Sequence, residues 1–325
     1  MNGIIVKSEN GQPQLVWAEV PDVDMGDDQV LVNVRATAVN RADLMQATGN
    51  YPPPLGESEI LGLEMAGEIA AIGAKVTGWQ VGDRVCALLA GGGYAEQVVV
   101  DPQMLIRIPT DWTFAMAAAV PEVWLTAFLN MFIEAELQAG ESFLVHAGGS
   151  GVGTAAIQLA KAANVTVYAT AGTEAKLAAC RDLGATLAIN YKSQDFAEEI
   201  LKVADGVDAI LCPVGADNFE RNVSLLNRRG RYVSIGLLSG VNAKINLAQL
   251  LLKRLRLIGS TLRSRPMAEK IAITQQFSDR FWPHFLAGDL KPIVDTTFDI
   301  ERAQDAHAYI AANKNTGKVV LTIGS

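Results

Sequence analysis

The residues Val145-His146-Ala147-Gly148-Gly149-Ser150-Gly151-Val152-Gly153 join an apolar run, Phe143-Leu144-Val145, to a helical pattern, Thr154-Ala155-Ala156-Ile157-Gln158-Leu159-Ala160-Lys161. Small side chains in such a turn let a phosphate approach the backbone, and the positive end of the following helix attracts it. A doubly wound sheet holds a dinucleotide pyrophosphate in this way. Ser150 stands where G-x-G-x-x-G has its middle glycine, so on the loop alone a turn without ligand stays an alternative. Gly148-x-x-x-x-Gly153 runs into Thr154, not into the lysine of a nucleoside-triphosphate loop.

The segment after the loop separates the two nicotinamide dinucleotides. Asn164-Val165-Thr166-Val167-Tyr168-Ala169-Thr170 reads as the second strand of a βαβ unit, and an acid near its end would bind the 2′-hydroxyl of NAD. None stands at Thr170, Ala171 or Gly172. Gly172-Thr173 leaves room, Lys176 follows within a turn, and Tyr191-Lys192 closes the next apolar run. That set suits a 2′-phosphate and predicts NADPH, with Glu174 the residue that keeps NADH open. A solvated helix face is the alternative for Lys176.

The elements that must position these groups follow from length and pattern. The chain has 325 residues, a formal net charge of -8 and 50% hydrophobic residues, enough for two cores. Its acidic balance argues against nucleic acid or an anionic membrane as main partner. Cys86, Cys180 and Cys212 lack pairing or metal spacing, which predicts a reducing compartment. Lys7 and Glu9 interrupt the only early apolar run, so no leader is expected. The apolar stretch from Phe114 to Ile133 holds Pro121, Glu122 and Asn130 and reads as a buried helix, giving a cytoplasmic protein without a membrane partner.

From Met1 to about Val120 the pattern is short strands and glycine turns, as in Gln29–Ala36, Val81–Val85 and Tyr94–Val100. After Pro121 strand and helix alternate. Strands are expected at Phe143–Val145, Thr166–Ala169, Leu187–Asn190, Ala209–Cys212, Arg231–Ile235 and Arg256–Gly259, with helices at Thr154–Ala163, Thr173–Leu183, Phe196–Val203 and Phe219–Leu226. The fold class is therefore α/β: a doubly wound, Rossmann-type parallel sheet beside a β-rich domain. A helix near Pro266–Leu286 leads to a last strand, Lys318–Ile323, expected to return to the N-terminal domain. Arg228-Arg229-Gly230-Arg231 reads as a solvated turn, and His146 as a buried structural residue.

Leu61-Gly62-Leu63-Glu64-Met65-Ala66-Gly67-Glu68-Ile69, then Gly73-Ala74-Lys75-Val76 and Gly82-Asp83-Arg84-Val85 ahead of the glycine loop, resemble the medium-chain dehydrogenase/reductase superfamily over essentially the whole chain. Val39-Asn40-Arg41-Ala42-Asp43-Leu44-Met45-Gln46, Gly49-Asn50-Tyr51-Pro52-Pro53-Pro54 and the closing Ala312-Asn313-Lys314-Asn315-Thr316-Gly317-Lys318-Val319-Val320-Leu321 are similar to its zeta-crystallin-type NADPH:quinone oxidoreductase branch. The resemblance implies a GroES-like catalytic domain over 1–122, completed by 264–325, and a Rossmann NADPH-binding domain over 123–263. In the zinc enzymes of the superfamily a histidine and a cysteine stand where this chain has Leu63 and Asn40. Glu64 alone cannot build a tetrahedral site, so no metal is expected.

The resemblance places Asn40, Tyr51 and Thr126 beside the reacting groups. For Asn40 a cap on the helix starting at Arg41 is the alternative, for Tyr51 a turn aromatic, and Asp43 reads as a structural first-turn carboxylate. It places Ser150, Gly151, Val152 and Gly153 at the pyrophosphate, and Gly172, Lys176 and Tyr191 at the 2′-phosphate. Gly236, Leu237, Leu262 and Arg263 would flank the nicotinamide, with Asn315 and Lys318 reaching in from the C-terminal segment. Cys212 stands where relatives often carry an acid, and Ala47 where they often carry arginine. The implied activity is zinc-independent hydride transfer from NADPH to a quinone or another conjugated carbonyl. Alternatives are reduction of an enone, alkenal or enoyl-thioester double bond, and a non-enzymatic NADPH-binding regulatory role. A homodimer is expected, through the sheet edge around Tyr232–Gly236 and Leu257-Ile258.

Overall fold

A computed structural model describes residues 1–9 and 11–324. The chain divides into two compact units, Met1–Leu125 with Arg263–Ser325, and Thr126–Leu262. In the first, β1 (Asn2–Glu9) and β2 (Gln12–Glu19) form an antiparallel hairpin. A second sheet is built from β3 (Val30–Val39), β4 (Glu64–Ile72), β5 (Arg84–Leu88), β6 (Gln97–Val100) and β7 (Ile106–Arg107). Val30, Val32, Val34 and Ala36 of β3 are buried and Arg35 is exposed, the period-two alternation of a half-covered strand. From Ala36 onward both faces are covered, and the strand delivers Asn40 to the start of α1 (Arg41–Ala47). Where a strand was expected from Val81, β5 begins only at Arg84, because Gly82 (φ 90°) is still in a turn.

α2 (Phe114–Ala118) and α3 (Pro121–Phe128) run into a π-helical stretch, Leu129–Glu134. Phe114–Glu134 is long and apolar enough to cross a membrane by length and composition, but 72% of that window is buried in the fold. The first unit's core adds aromatic contacts from the later helix, among them Trp124 edge-on to Phe285 at 4.6 Å.

The second unit alternates β8 (Ser142–Val145), α4 (Gly151–Ala162), β9 (Thr166–Ala171), α5 (Glu174–Leu183), β10 (Leu187–Asn190), α6 (Phe196–Leu201), β11 (Val207–Cys212), α7 (Ala216–Leu225), β12 (Leu226–Ser234), α8 (Leu247–Lys253) and β13 (Arg256–Gly259). All six strands are parallel, in the order β10-β9-β8-β11-β12-β13. The order reverses between β8 and β11, so a crevice opens at their carboxyl ends, where such sheets take their ligands. Each expected strand is present. The basic run does not behave uniformly: Arg231 is buried in β12, its guanidinium 2.6 Å from Glu141 and 2.7 Å from the Ala135 carbonyl. Three arginines within four residues read as solvated, and only the packing of β12 reveals the buried carboxylate partner.

The chain then returns to the first unit through α9 (Met267–Leu286), β14 (Val294–Asp299), α10 (Ala303–Ala311) and β15 (Lys318–Thr322). β15 pairs antiparallel with β3 and parallel with β14, the return expected from the unpartnered last strand.

Candidate active site

Ser150 caps α4 with its hydroxyl, which accepts from the Gly153 N–H at 3.0 Å. The helix therefore begins at Gly151, three residues before the apolar pattern suggests, and the N–H groups of Gly151 and Val152 have no acceptor within it. A Cβ on Gly153 would lie 2.4 Å from the Ala147 carbonyl oxygen, so only glycine fits the tight turn. A side chain on Gly149 would meet the Lys176 stem at 3.0 Å, which places Lys176 across the loop.

His146, at the end of β8, is buried between Thr170 Oγ1 (3.0 Å) and Asn222 Oδ1 (2.7 Å). The amide oxygen can only accept, so Nε2 carries the proton and Nδ1 accepts from the threonine hydroxyl. Burial pushes its pKa down to about 4, and the ring stays neutral. It ties β8, β9 and α7 together beneath the loop.

Beyond β9, Gly172 forms a floor. A Cβ there would meet Tyr191 Oη at 2.7 Å and Lys192 Cε at 3.1 Å. Gly172, Tyr191 and Lys192 thus converge, with Lys176 in the first turn of α5 against the glycine loop, while the carboxylate of Glu174 is engaged by Arg181. Lys192, which the sequence offered as the second lysine of this set, is the lysine that lies against Gly172, while Lys176 on α5 lies against Gly149. Gly236 lies against Pro213, and Leu237 is more than half exposed, in the loops after β11 and β12.

In the first unit Asn40 and Lys318 come together around Glu64. The Lys318 ammonium donates to Val39 O (3.0 Å), Asn40 Oδ1 (2.6 Å) and Glu64 Oε1 (2.7 Å), which uses all three of its N–H bonds. Asn40 Nδ2 donates to Glu64 Oε1 (2.8 Å) and Ala38 O (3.2 Å). Glu64 Oε2 accepts from Glu122 N at 2.8 Å. Expected to polarise an acceptor oxygen, Asn40 has both amide N–H bonds committed to protein. Lys318, expected to reach toward the cofactor, is likewise fully engaged and buried. Asn315 donates to the Gly317 carbonyl at 2.7 Å and holds the turn before β15.

Asp43 accepts from Asn40 N (2.7 Å) and Gly62 N (3.2 Å) and lies 3.3 Å from the Tyr94 hydroxyl, which in turn lies 3.1 Å from His307 Nε2. Burial pushes the Asp43 pKa up to about 6 and that of His307 down to about 4. This chain of groups fixes the start of α1. Nothing local in the sequence pairs Tyr94 with His307.

Arg263 holds the segment carrying Tyr51. Its guanidinium donates to Ala90 O (2.7 Å), Gln46 Oε1 (2.7 Å) and Tyr51 O (3.4 Å), and lies 5.4 Å from the Tyr51 ring centroid. Burial and the nearby Glu122 raise the Tyr51 pKa, which keeps the phenol protonated and able to donate. Leu262 is buried at the end of the second unit. Thr126, buried in α3, belongs to that unit, and its carbonyl accepts from Asn130 Nδ2 at 2.7 Å.

Among the described residues no group of three or more His, Cys, Asp or Glu side chains could hold a metal ion. The donor set around Glu64 also does not fit zinc, because the Lys318 ammonium already satisfies that carboxylate and a second cation there would be repelled.

A glycine loop at the switch point of a six-stranded parallel sheet, joined to a β-rich unit, defines a dinucleotide-binding oxidoreductase class. Residues 26–110 match the alcohol dehydrogenase GroES-like domain and residues 151–276 the zinc-binding dehydrogenase domain. The chain is 34% identical over 322 residues to a quinone oxidoreductase of Pseudomonas aeruginosa, covering 96% of each protein. It superposes on the Escherichia coli quinone oxidoreductase complexed with NADPH with a TM-score of 0.87 at 28% identity, covering 99% of this chain and 100% of that one. The CurK enoyl reductase gives a TM-score of 0.84 at 28% identity over 95% of both chains. The chain also matches polyketide synthases, of which it spans 14% in one from Mycobacterium marinum and 8% in one from Streptomyces venezuelae. The chain belongs to the medium-chain dehydrogenase/reductase superfamily, as a quinone oxidoreductase-like oxidoreductase.

Proposed function

We propose that the protein reduces quinones with NADPH, without zinc. The carrying observation is the convergence of Gly172, Tyr191 and Lys192 beyond β9, with Lys176 of α5 against the glycine loop and no acid at the strand end. NADPH supplies the hydride from its nicotinamide ring. The quinone takes it together with a proton from solvent and leaves as hydroquinone. With no Lewis acid, the developing oxyanion must be met by donors, and the Tyr51 phenol is the side chain assigned to it. Tyr51→Phe is expected to lower kcat/KM by roughly tenfold to a hundredfold, the size of one lost oxyanion donor. An unchanged rate removes Tyr51 from the reaction.

Reduction of a conjugated carbon–carbon double bond is the second reading, favoured by the likeness to the CurK enoyl reductase. Steady-state turnover with NADPH and NADH across quinones, alkenals and enoyl thioesters decides between them. Turnover confined to enoyl thioesters would replace the quinone reading.

The active form is proposed to be a homodimer paired through the sheet of the second unit. β13 is one of its two edge strands; Leu257 of β13 is exposed, as are Val241, Leu251 and Leu252 in the segments that precede it. Leu257→Asp is expected to shift the sedimentation of the wild-type dimer to that of a monomer; a wild type already sedimenting as a monomer rejects the pairing. A reducing, cytoplasmic setting suits the three unpaired, buried cysteines, Cys86, Cys180 and Cys212.

A further inference from the structure

Asp43, Tyr94 and His307 form a hydrogen-bonded row inside the first unit that no step of the proposed reduction uses. Asp43 and Tyr94 are 0% exposed, and His307 is 6% exposed. Among the described residues the Asp43 carboxyl meets three hydrogen-bonding groups: Asn40 N at 2.7 Å, Gly62 N at 3.2 Å and the Tyr94 hydroxyl at 3.3 Å. Two of these are backbone amides, which keep their protons. The phenol can both give and take one, and 3.1 Å beyond it lies Nε2 of His307. The row thus runs from a carboxyl without solvent contact to the one member that has some.

The hydrogen bonds allow two arrangements of the same heavy atoms. With Asp43 ionised, Oδ2 accepts from the Tyr94 hydroxyl, and the phenol oxygen accepts from the Nε2–H of His307. With Asp43 protonated, Oδ2 donates to the phenol oxygen, the Tyr94 hydroxyl donates to Nε2, and the ring proton sits on Nδ1. To pass from the first to the second, Nδ1 takes a proton from solvent, Nε2 gives its own to the phenol, and the phenol gives its own to Oδ2. One proton enters and one carboxylate charge is lost. Burial places this change in the working range: it raises the Asp43 pKa to about 6, with the Asn40 N–H, the Lys318 ammonium of β15 and the Gly62 N–H opposing the rise and Glu64 of β4 adding to it. Arg263 is a further charge coupled to Asp43. Burial lowers the pKa of His307 to about 4, so between about pH 5 and 8 its ring is neutral and has a single proton to place. Burial, Asp43 and Glu64 together keep Tyr94 protonated.

We propose that His307, Tyr94 and Asp43 form a proton path that loads and unloads the Asp43 carboxyl, with His307 changing tautomer each time, so that the charge at the start of α1 follows the pH. Asp43 stands in the first turn of that helix and closes its capping box by accepting from Asn40 N. Once Oδ2 carries the proton, that bond ends on a hydroxyl oxygen instead of a carboxylate and weakens. The path does not depend on which acceptor the protein reduces.

Magnetic resonance of the full chain, with nitrogen-labelled histidine, tests it. Only His146, His284 and His307 contribute ring signals, and His307 is recognised by its contact with the Tyr94 ring, 5.8 Å between centroids. In the wild type the ring proton is expected on Nε2 at about pH 8 and on Nδ1 at about pH 5, with a midpoint that matches the titration of the Asp43 carboxyl carbon. A purely structural row would leave the tautomer unmoved. A ring that keeps one tautomer while Asp43 titrates therefore overturns the path. So does a ring that becomes imidazolium over this range, because the histidine would then hold the charge itself, and so does an Asp43 that stays ionised throughout. Tyr94→Phe removes the relaying hydroxyl and retains the ring, and in it the His307 tautomer is expected to stop following the pH. A tautomer change that persists in this variant overturns the relay through Tyr94. Should the variant fail to fold, the wild-type titration alone still decides.

Discussion

Lys318→Met is expected to destabilise the protein by about 3–5 kcal/mol, the cost of leaving a buried carboxylate without its cation. Glu64 is fully buried and its Oε1 lies 2.7 Å from the ammonium. Without Lys318 it would keep only the Asn40 amide and the Glu122 N–H as donors. Asn40 would lose the partner of its Oδ1 at the same time. The ammonium also joins the first residue of β15 to the Val39 carbonyl, so the substitution loosens the return of the C-terminal strand. The double variant Glu64→Gln, Lys318→Met removes both charges and should recover most of the loss. Urea unfolding of the two variants measures the difference. Equal midpoints for single and double variant would mean that packing around the lysine stem, not the charge pair, carries the stability.

The contrast between Lys318 and the glycine loop shows what the sequence exposes. Gly148, Gly149 and Gly153 are readable because a cofactor loop and its helix are local in the chain, and their residue types have few other uses. The six strands of the second unit are readable for a related reason, since apolar runs alternating with helical patterns leave little choice of topology. Lys318 and Glu64 belong to distant strands that become neighbours only through the β15–β3–β4 pairing. Neither residue type announces the other. Asn40 was legible as a polar group at the site, but the direction of its amide depends on Glu64 and Lys318, and that direction withdraws it from the role of donor. Arg263 escapes in another way: its acceptors are two backbone carbonyls and a glutamine, and carbonyls carry no sequence signal.

Gly172→Asp is expected to raise the KM for NADPH by roughly tenfold to a hundredfold, or about 1.4–2.7 kcal/mol of binding, with little loss for NADH. The substitution supplies the acid that NAD-binding members of such folds place near this point and sets its charge against a 2′-phosphate. It also has a steric part, because a Cβ at this position would lie 2.7 Å from Tyr191 Oη and 3.1 Å from Lys192 Cε. Tyr191 is more than half exposed, so its ring can swing away at modest cost. Gly172→Ala separates the two effects: it displaces Tyr191 without adding charge, and should raise both Michaelis constants by a similar, smaller factor. Steady-state kinetics with each cofactor checks both variants. If the aspartate leaves NADPH unaffected, the 2′-phosphate does not sit on the Gly172 floor. Lys176 and Lys192 would then be surface lysines, and the preference for NADPH would have to come from elsewhere in the crevice.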